Sequence, residues 1–263
     1  MTIISLLSVL AVASISLASP LTVVERDDKC YPQNMVTDQR DYGCPRKNQL
    51  DSNGHCGGIP SQPGKQGCSS YCEVSLAKGY GQEIPFKHGF CQGGISCNIG
   101  ESESVSTTQT WTISGSGGLG TGEEISKALT GAFDIGASYS WSKTLTYTTS
   151  TLHTKELPEG SCGYWTFIPY VMTSCGTVSM TGTKSQSAGY YGTNTYTTCS
   201  GTIKDQGNWC NNAFFKDDNG KSDGEVVFVY VDCEKGGVLQ DKDIKDGKQP
   251  ASYWYPGVAT GPK

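Results

Sequence analysis

The sequence lacks the short motifs that mark the common enzyme classes. It contains no G-x-S-x-G turn, no H-E-x-x-H pair and no phosphate-binding P-loop. Its three histidines, His55, His88 and His153, are scattered, and no two cysteines stand in the C-x-x-C spacing of zinc sites. We therefore expect no catalytic residues, no metal and no cofactor. An enzyme would instead require three polar residues that converge in a cleft of the folded chain.

Charged residues are few, and their balance is slightly acidic. The chain has 20 Lys and Arg residues against 25 Asp and Glu residues, for a formal net charge of −5. This charge argues against capture by the phosphate backbone, so we expect no nucleic-acid partner. No Asn-x-Ser/Thr acceptor is present, which excludes ordinary N-glycosylation.

Long apolar runs are absent beyond the N-terminus. The run over residues 3–17 is followed by small residues, among them Ala18, and predicts a signal peptide over residues 1–18. A membrane anchor is the weaker interpretation, because about 15 residues are fewer than the roughly 20 that a spanning helix needs. We therefore expect the remaining chain to be secreted and extracellular.

Cysteine, in contrast, is abundant. An even number of cysteines in an exported chain predicts a disulfide framework and not a set of metal ligands. Seven cysteines precede residue 105 and five follow residue 151, so complete pairing requires at least one bridge between the two regions. We expect one further bridge between Cys162 and Cys175, which flank an apolar run. The twelve predicted disulfide residues are Cys30, Cys44, Cys56, Cys68, Cys72, Cys91, Cys97, Cys162, Cys175, Cys199, Cys210 and Cys233.

The distribution of residue types predicts an all-β fold. Segments 164–172 and 225–232 are rich in β-branched and aromatic residues, which favours strands, and Pro169 marks a bulge or an edge position. Residues 30–97 are rich in turn-forming residues and poor in aliphatic ones, so disulfides must stabilise them. We expect a cysteine-rich N-terminal lobe over residues 19–100 and a β-rich domain over residues 101–263. The architecture would be a long-stranded antiparallel sheet or sandwich with an irregular disulfide-stabilised lobe.

The segment 105–151 carries the clearest pattern in the chain. Two stretches, 105–114 and 133–148, alternate apolar with Ser or Thr side chains, as amphipathic strands do. A glycine-rich connector joins them, within which residues 123–129 are compatible with one or two helical turns. Lys143 alone interrupts the apolar face of the second stretch. The candidate membrane-contact or ligand-contact residues are Trp111, Ile113, Phe133, Ile135, Tyr139, Trp141, Leu145 and Tyr147.

Other interpretations of these patterns remain open. The aromatic side chains of the two stretches would also suit the inner face of a sandwich, which is the commoner fate of such residues. The acidic segment 217–225 has the density of a calcium loop, but an Asn-Gly hairpin turn before a strand is favoured. Glu156 and Glu159 are a candidate carboxylate pair for sugar hydrolysis, but no sequence signal of a substrate groove accompanies them.

The segment 111–158 resembles the middle of aerolysin and epsilon-toxin-type β-pore-forming proteins. The resemblance rests on the strand 109–114, the glycine run 115–122, the alternating segment 137–142 and the Leu-Pro-Glu-Gly turn at 157–160. It implies a hairpin that leaves the body of the protein and inserts into a target membrane as part of a homo-oligomer. The overall layout also resembles small cysteine-rich effector proteins that filamentous fungi secrete.

Two functions are therefore expected from the sequence. The first is a secreted toxin or effector that acts on target-cell membranes through the hairpin, after contact with the membrane or with a surface receptor or glycan. The alternative is a non-lytic effector or elicitor, or a glycan- or cell-wall-binding protein without catalysis. The absence of cysteine between Cys97 and Cys162 favours the first, because no bridge opposes release of the hairpin.

Overall fold

The computed structural model describes residues 39–41, 50–108, 123–136, 144–188 and 194–259. Strands dominate these residues and pair antiparallel throughout, which confirms the predicted all-β fold with several disulfides. The predicted signal peptide, Cys30 and Cys44 lie outside the described residues. The strands are β1 (Gln39–Asp41), β2 (Ser69–Tyr80), β3 (Ile84–Gln92), β4 (Ser96–Ile99), β5 (Ser104–Thr108), β6 (Thr144–Thr148), β7 (His153–Glu156), β8 (Cys162–Met180), β9 (Thr183–Ala188), β10 (Asn194–Cys199), β11 (Lys204–Phe214) and β12 (Gly224–Val231).

Helix is confined to three short elements in this part of the chain. The α-helix α1 spans Glu123–Gly136, and two 3-10 helices span Asp241–Asp243 and Ala251–Trp254. None of the helices in the described ranges is long and apolar enough to cross a membrane.

The 19-residue strand β8 organises the main sheet. Its N-terminal half pairs with β3 and β12, and its C-terminal half pairs with β2 and β11. The partners change between Pro169 and Tyr170, where proline has no N–H to donate to a ladder. Strand β1 extends the sheet beyond β2, and three two-stranded ribbons complete the fold: β4 with β7, β5 with β6 and β9 with β10.

The disulfides join the two predicted regions. Cys68 pairs with Cys199, so the expected bridge between the N-terminal and C-terminal cysteines is confirmed. Strands β2 and β3 also pair with β8, which means that the segments before and after residue 100 share one sheet. The remaining described bridges are Cys56–Cys72, Cys91–Cys97, Cys162–Cys233 and Cys175–Cys210.

The predicted bridge between Cys162 and Cys175 is wrong. Both cysteines lie in β8, 13 positions apart in one extended strand. At roughly 3.3 Å per residue their Cα atoms are about 40 Å apart, far beyond the reach of a disulfide. Cys175 instead pairs with Cys210, its direct cross-strand neighbour on β11.

The strand predicted from Phe133 onwards is also wrong at its beginning. Phe133 and Ile135 belong to α1, and the strand β6 begins only at Thr144. Leu129, Ala132 and Phe133 follow the i, i+3, i+4 spacing of a helical face and are buried. Tertiary packing of this face against β2 therefore overrides the period-2 pattern.

Candidate functional site

The ribbon of β5 and β6 retains the two ends of the predicted hairpin. Its register places Val105 opposite Tyr147 and Thr107 opposite Leu145. At its base the hydroxyls of Ser104 and Thr148 form a hydrogen bond of 2.9 Å. Because side chains alternate across a strand, Val105, Leu145 and Tyr147 share one face of the ribbon.

The apolar face of this ribbon packs on the main sheet. Val105 and Leu145 are 6% and 0% exposed and belong to the core cluster that contains Phe167 of β8. The ring of Tyr147 stacks on the ring of Phe167 with centroids 3.8 Å apart and planes 9° apart. This burial raises the pKa of the Tyr147 phenol. The opposite face is exposed and consists of Ser104, Ser106, Thr144, Thr146 and Thr148.

A buried threonine joins this ribbon to the ribbon of β4 and β7. The hydroxyl of Thr149 donates to the carbonyl of Gly100 at 2.8 Å and accepts from the amide of Glu103 at 3.0 Å. The backbone of Thr149 pairs with Ser102 and Glu103, and Ser102 has a φ of 68°. The two ribbons thus form one two-stranded arm, in which residues 96–108 lie beside residues 144–156. Thr149 lies where the two ribbons meet.

The helix α1, which lies between β5 and β6 in sequence, docks elsewhere on the sheet. The ring of Phe133 lies 4.1 Å from that of Tyr71 on β2, in a cluster with Leu129 and Trp209. Gly131 and Gly136 approach the backbone so closely that an added Cβ would overlap the carbonyl oxygens of Lys65 and Tyr71 respectively. The helix is therefore held by close backbone packing around one aromatic contact.

A second cluster, which we call the tyrosine cluster, comprises Tyr80, Tyr170, Tyr255 and Glu225. The hydroxyls of Tyr80 and Tyr170 donate to Oε1 of Glu225 at 2.9 and 3.1 Å. The ring of Tyr80 lies 4.8 Å from Tyr255 and 5.6 Å from Tyr170. All four side chains are half-buried, and Trp254, the neighbour of Tyr255 in sequence, is 46% exposed.

A buried lysine lies beside the tyrosine cluster. The Nζ atom of Lys78 lies 4.0 Å from the ring centroid of Phe215 and 4.7 Å from that of Tyr170. Burial lowers the pKa of this amine, and the nearby Asp223 carboxylate partly opposes the shift. Burial, followed by the hydrogen bond to Glu225, raises the pKa of Tyr80. This region therefore combines aromatic rings, a carboxylate and a buried amine.

One serine, histidine and aspartate do converge, but not as a nucleophilic relay. Asp205 bonds Nδ1 of His55 at 2.6 Å with one oxygen and accepts from the hydroxyl of Ser179 with the other. The carboxylate thus separates the histidine from the serine, whereas a relay needs the histidine between them. Ser179 is also completely buried and accepts the amide of Cys56, so it is a structural group.

The acidic segment at 217–225 forms a turn and the start of β12. The Asp217 carboxylate accepts the backbone N–H groups of Asn219 and Lys221 at 2.9 and 2.8 Å, which lowers its pKa. Gly220 has a φ of 73°. The described residues contain no group of three or more candidate metal ligands. Glu156 and Glu159 are both exposed.

Four of the eight predicted contact residues lie in the part of the chain that the structure describes. Leu145 and Tyr147 lie on the inner face of the ribbon, and Phe133 and Ile135 lie on α1. Trp111, Ile113, Tyr139 and Trp141 lie outside the described residues. The tyrosine cluster was missed by sequence reasoning, although the aromatic run 253–255 near the C-terminus is a local signal for part of it.

Comparison of the chain with protein-family models, curated proteins and solved structures finds no match.

Proposed function

We propose that the protein is a secreted toxin or effector that acts on target-cell membranes through the segment 105–148. The observation that carries this proposal is the ribbon of β5 and β6. Its apolar face is covered by the body, while its opposite face is a row of exposed Ser and Thr side chains. A membrane hairpin needs this combination of one lipid-facing and one water-facing side.

The connection of the ribbon to the body is compatible with release. No cysteine lies between Cys97 and Cys162, so only non-covalent contacts hold the ribbon and α1 on the sheet. Each ribbon strand has five residues, whereas a membrane-spanning strand needs about 9–11. The hairpin must therefore extend into the segment that joins β5 to β6. Because backbone groups in lipid must all be paired, the hairpins of several copies would associate edge to edge.

The disulfides support an extracellular site of action. Five described bridges indicate an oxidising environment, and such bridges persist outside the cytosol. Secretion through the predicted signal peptide over residues 1–18 would supply that environment.

Release of dye from lipid vesicles and lysis of whole cells test the proposal directly. We expect leakage by the wild-type protein and its loss in a Tyr147→Cys/Phe167→Cys variant whose two thiols are joined by a short bis-maleimide linker that contains a reducible disulfide, because the linker would tie the ribbon to β8 where the two rings are in contact. Mild reduction of the variant should restore leakage.

The controls separate the bridge from the loss of the rings. Each single variant should leak after the same linker treatment, and the wild type given the same reductant should show that the native bridges survive it. Absence of both leakage and lysis at micromolar wild-type protein would contradict the proposed function.

The tyrosine cluster favours a second candidate function, the binding of a cell-wall glycan. Aromatic rings stack on the apolar faces of sugars, and a carboxylate accepts sugar hydroxyls. Tyr80 and Tyr255 offer such rings in the cluster with Glu225, and the exposed Trp254 precedes Tyr255 in the chain. This function needs a rigid surface and no release of the ribbon.

A sedimentation assay with insoluble cell-wall polysaccharides tests the glycan function. We expect Tyr255→Ala and Trp254→Ala each to weaken binding by about tenfold. This factor corresponds to the loss of roughly 1.4 kcal/mol of binding free energy, the size of one ring contact. Tyr196→Ala is the matched control, since Tyr196 is 39% exposed on β10, outside the cluster. Equal binding by all three variants, or no binding by the wild type, would reject this candidate.

A further inference from the structure

The sequence of the segment 129–147 fits both the helical and the strand periodicity of apolar side chains. At the beginning of this segment, the folded protein adopts the helix. In the helix α1, Leu129, Ala132 and Phe133 form the buried face. In an extended chain, Phe133, Ile135, Leu145 and Tyr147 would lie on one side, because they are separated by even numbers of residues. The same sequence is therefore compatible with a docked helix and with an amphipathic strand that continues into β6.

We propose that the end of α1, residues 133–136, is a lipid-contacting strand stored as a helix, and that contact with a bilayer undocks the helix and converts these residues to the extended form. Phe133 and Ile135 would then lie on the lipid-facing side, in line with Leu145 and Tyr147 of β6. This inference rests on the proposed membrane function and names the surface that meets the lipid.

The exposure of Ile135 is the first observation that supports the conversion. Ile135 is 48% exposed on α1, whereas Phe133 is completely buried against Tyr71. The helix thus separates these two apolar side chains, one in the core and one on the surface. An extended conformation places Ile135 on the same side as Phe133 and moves Asp134 to the opposite, water-facing side.

The composition of α1 is the second observation. The helix contains Thr130, Gly131 and Gly136, and glycine costs about 1 kcal/mol relative to alanine within a helix. A helix of 14 residues is marginal in isolation even with a favourable sequence. Its helical state therefore depends on docking, and loss of the docked position removes most of what favours the helix.

The docking contacts are the third observation. They rely on two glycines that approach the carbonyls of Lys65 and Tyr71, and on the ring contact between Phe133 and Tyr71. Neither α1 nor the chain that links it to β5 and β6 contains a cysteine. When the ribbon leaves the sheet, no covalent bond retains the helix.

Two isoleucines of similar exposure provide a matched test. Ile135→Asp leaves the docked face of α1 unchanged, so the soluble protein should keep its far-ultraviolet circular dichroism and its Tm. We expect this variant to lose dye release from vesicles of phosphatidylcholine and phosphatidylserine by at least about tenfold, because an aspartate on the lipid-facing side opposes insertion. Ile95→Asp is the control, since Ile95 is 61% exposed and lies outside the segment, and it should leak like the wild type.

Labelling reports the conformation itself. Asp134→Cys and Ile135→Cys, each carrying an environment-sensitive fluorophore, are both exposed on the soluble helix. On leaking vesicles we expect the fluorescence emission to shift to the blue at position 135 and to stay unchanged at position 134. Such a difference between neighbouring positions is expected of a strand, because successive side chains point to opposite faces.

A disulfide between Gly67→Cys and Ala128→Cys tests the need for undocking. A Cβ at Gly67 would lie 3.2 Å from the Cβ of Ala128, so the oxidised variant should hold α1 in place and lose leakage. The Gly67→Cys single variant controls for the positive φ of 57° at this glycine.

The outcomes separate this inference from the proposed function. Leakage by the wild type with Ile135→Asp equally active, or equal spectral shifts at positions 134 and 135, would overturn the conversion and leave the membrane function intact. No leakage by the wild type would reject both.

Discussion

Replacing Cys68 and Cys199 together by serine is expected to lower the free energy of unfolding by about 5 kcal/mol in the chain-entropy account of disulfides. The reason is the length of the loop that this bridge closes, since the two cysteines are 131 positions apart. The bridge links the segment before β2 to the end of β10, so the unfolded chain loses much freedom when it is present. Denaturation in urea, monitored by tryptophan fluorescence, measures the effect.

The bridge between Cys91 and Cys97 is the natural comparison. It closes a separation of only six positions between β3 and β4, and the same account assigns it about 2 kcal/mol. We therefore expect the Cys91→Ser/Cys97→Ser variant to unfold at a clearly higher urea concentration than the Cys68→Ser/Cys199→Ser variant. The reverse order would show that strain or residual structure, and not loop length, governs these bridges.

Phe167→Ala is expected to be the most damaging single substitution under the ribbon, with a loss of about 3–5 kcal/mol in the free energy of unfolding. Phe167 is completely buried in β8 and carries the stacked ring of Tyr147. Its removal leaves a cavity between the main sheet and the ribbon. Thermal and urea denaturation measure the loss, and hydrogen exchange should rise first at the amides of β5 and β6.

Phe90→Ala provides a matched control in the same sheet. Phe90 pairs with Tyr164 across β3 and β8, but its side chain is 62% exposed. Truncation of an exposed side chain changes stability by about 0.5 kcal/mol or less. Similar losses in the two variants would mean that Phe167 does not support the ribbon as the packing indicates.

Several features of the fold followed from local sequence patterns. The β-branched and aromatic runs at 164–172 and 225–232 lie in β8 and β12, and Pro169 marks the point where β8 changes partners. The alternation at 145–147 placed Leu145 and Tyr147 on one face of β6. These predictions succeeded because strand propensity and side-chain alternation depend on neighbours in the chain.

Other features were not determined by local sequence. The partners of Cys162 and Cys175 depend on which strands flank β8, and spacing in the chain carries no such information. The tyrosine cluster gathers residues from β2, β8, β12 and the C-terminal segment. His55 meets Asp205 across 150 positions.

The sequence by itself determined that this protein is a disulfide-bonded β protein with an alternating, cysteine-free segment, because composition, parity and periodicity are properties of the chain alone. Only the tertiary structure decided that residues 123–136 form a helix. From Phe133 onwards their sequence also satisfies the period of a strand, and the choice was made by the surface of Tyr71 and its neighbouring backbone, which accepts a helical face. Where local preference is divided, long-range packing selects the conformation.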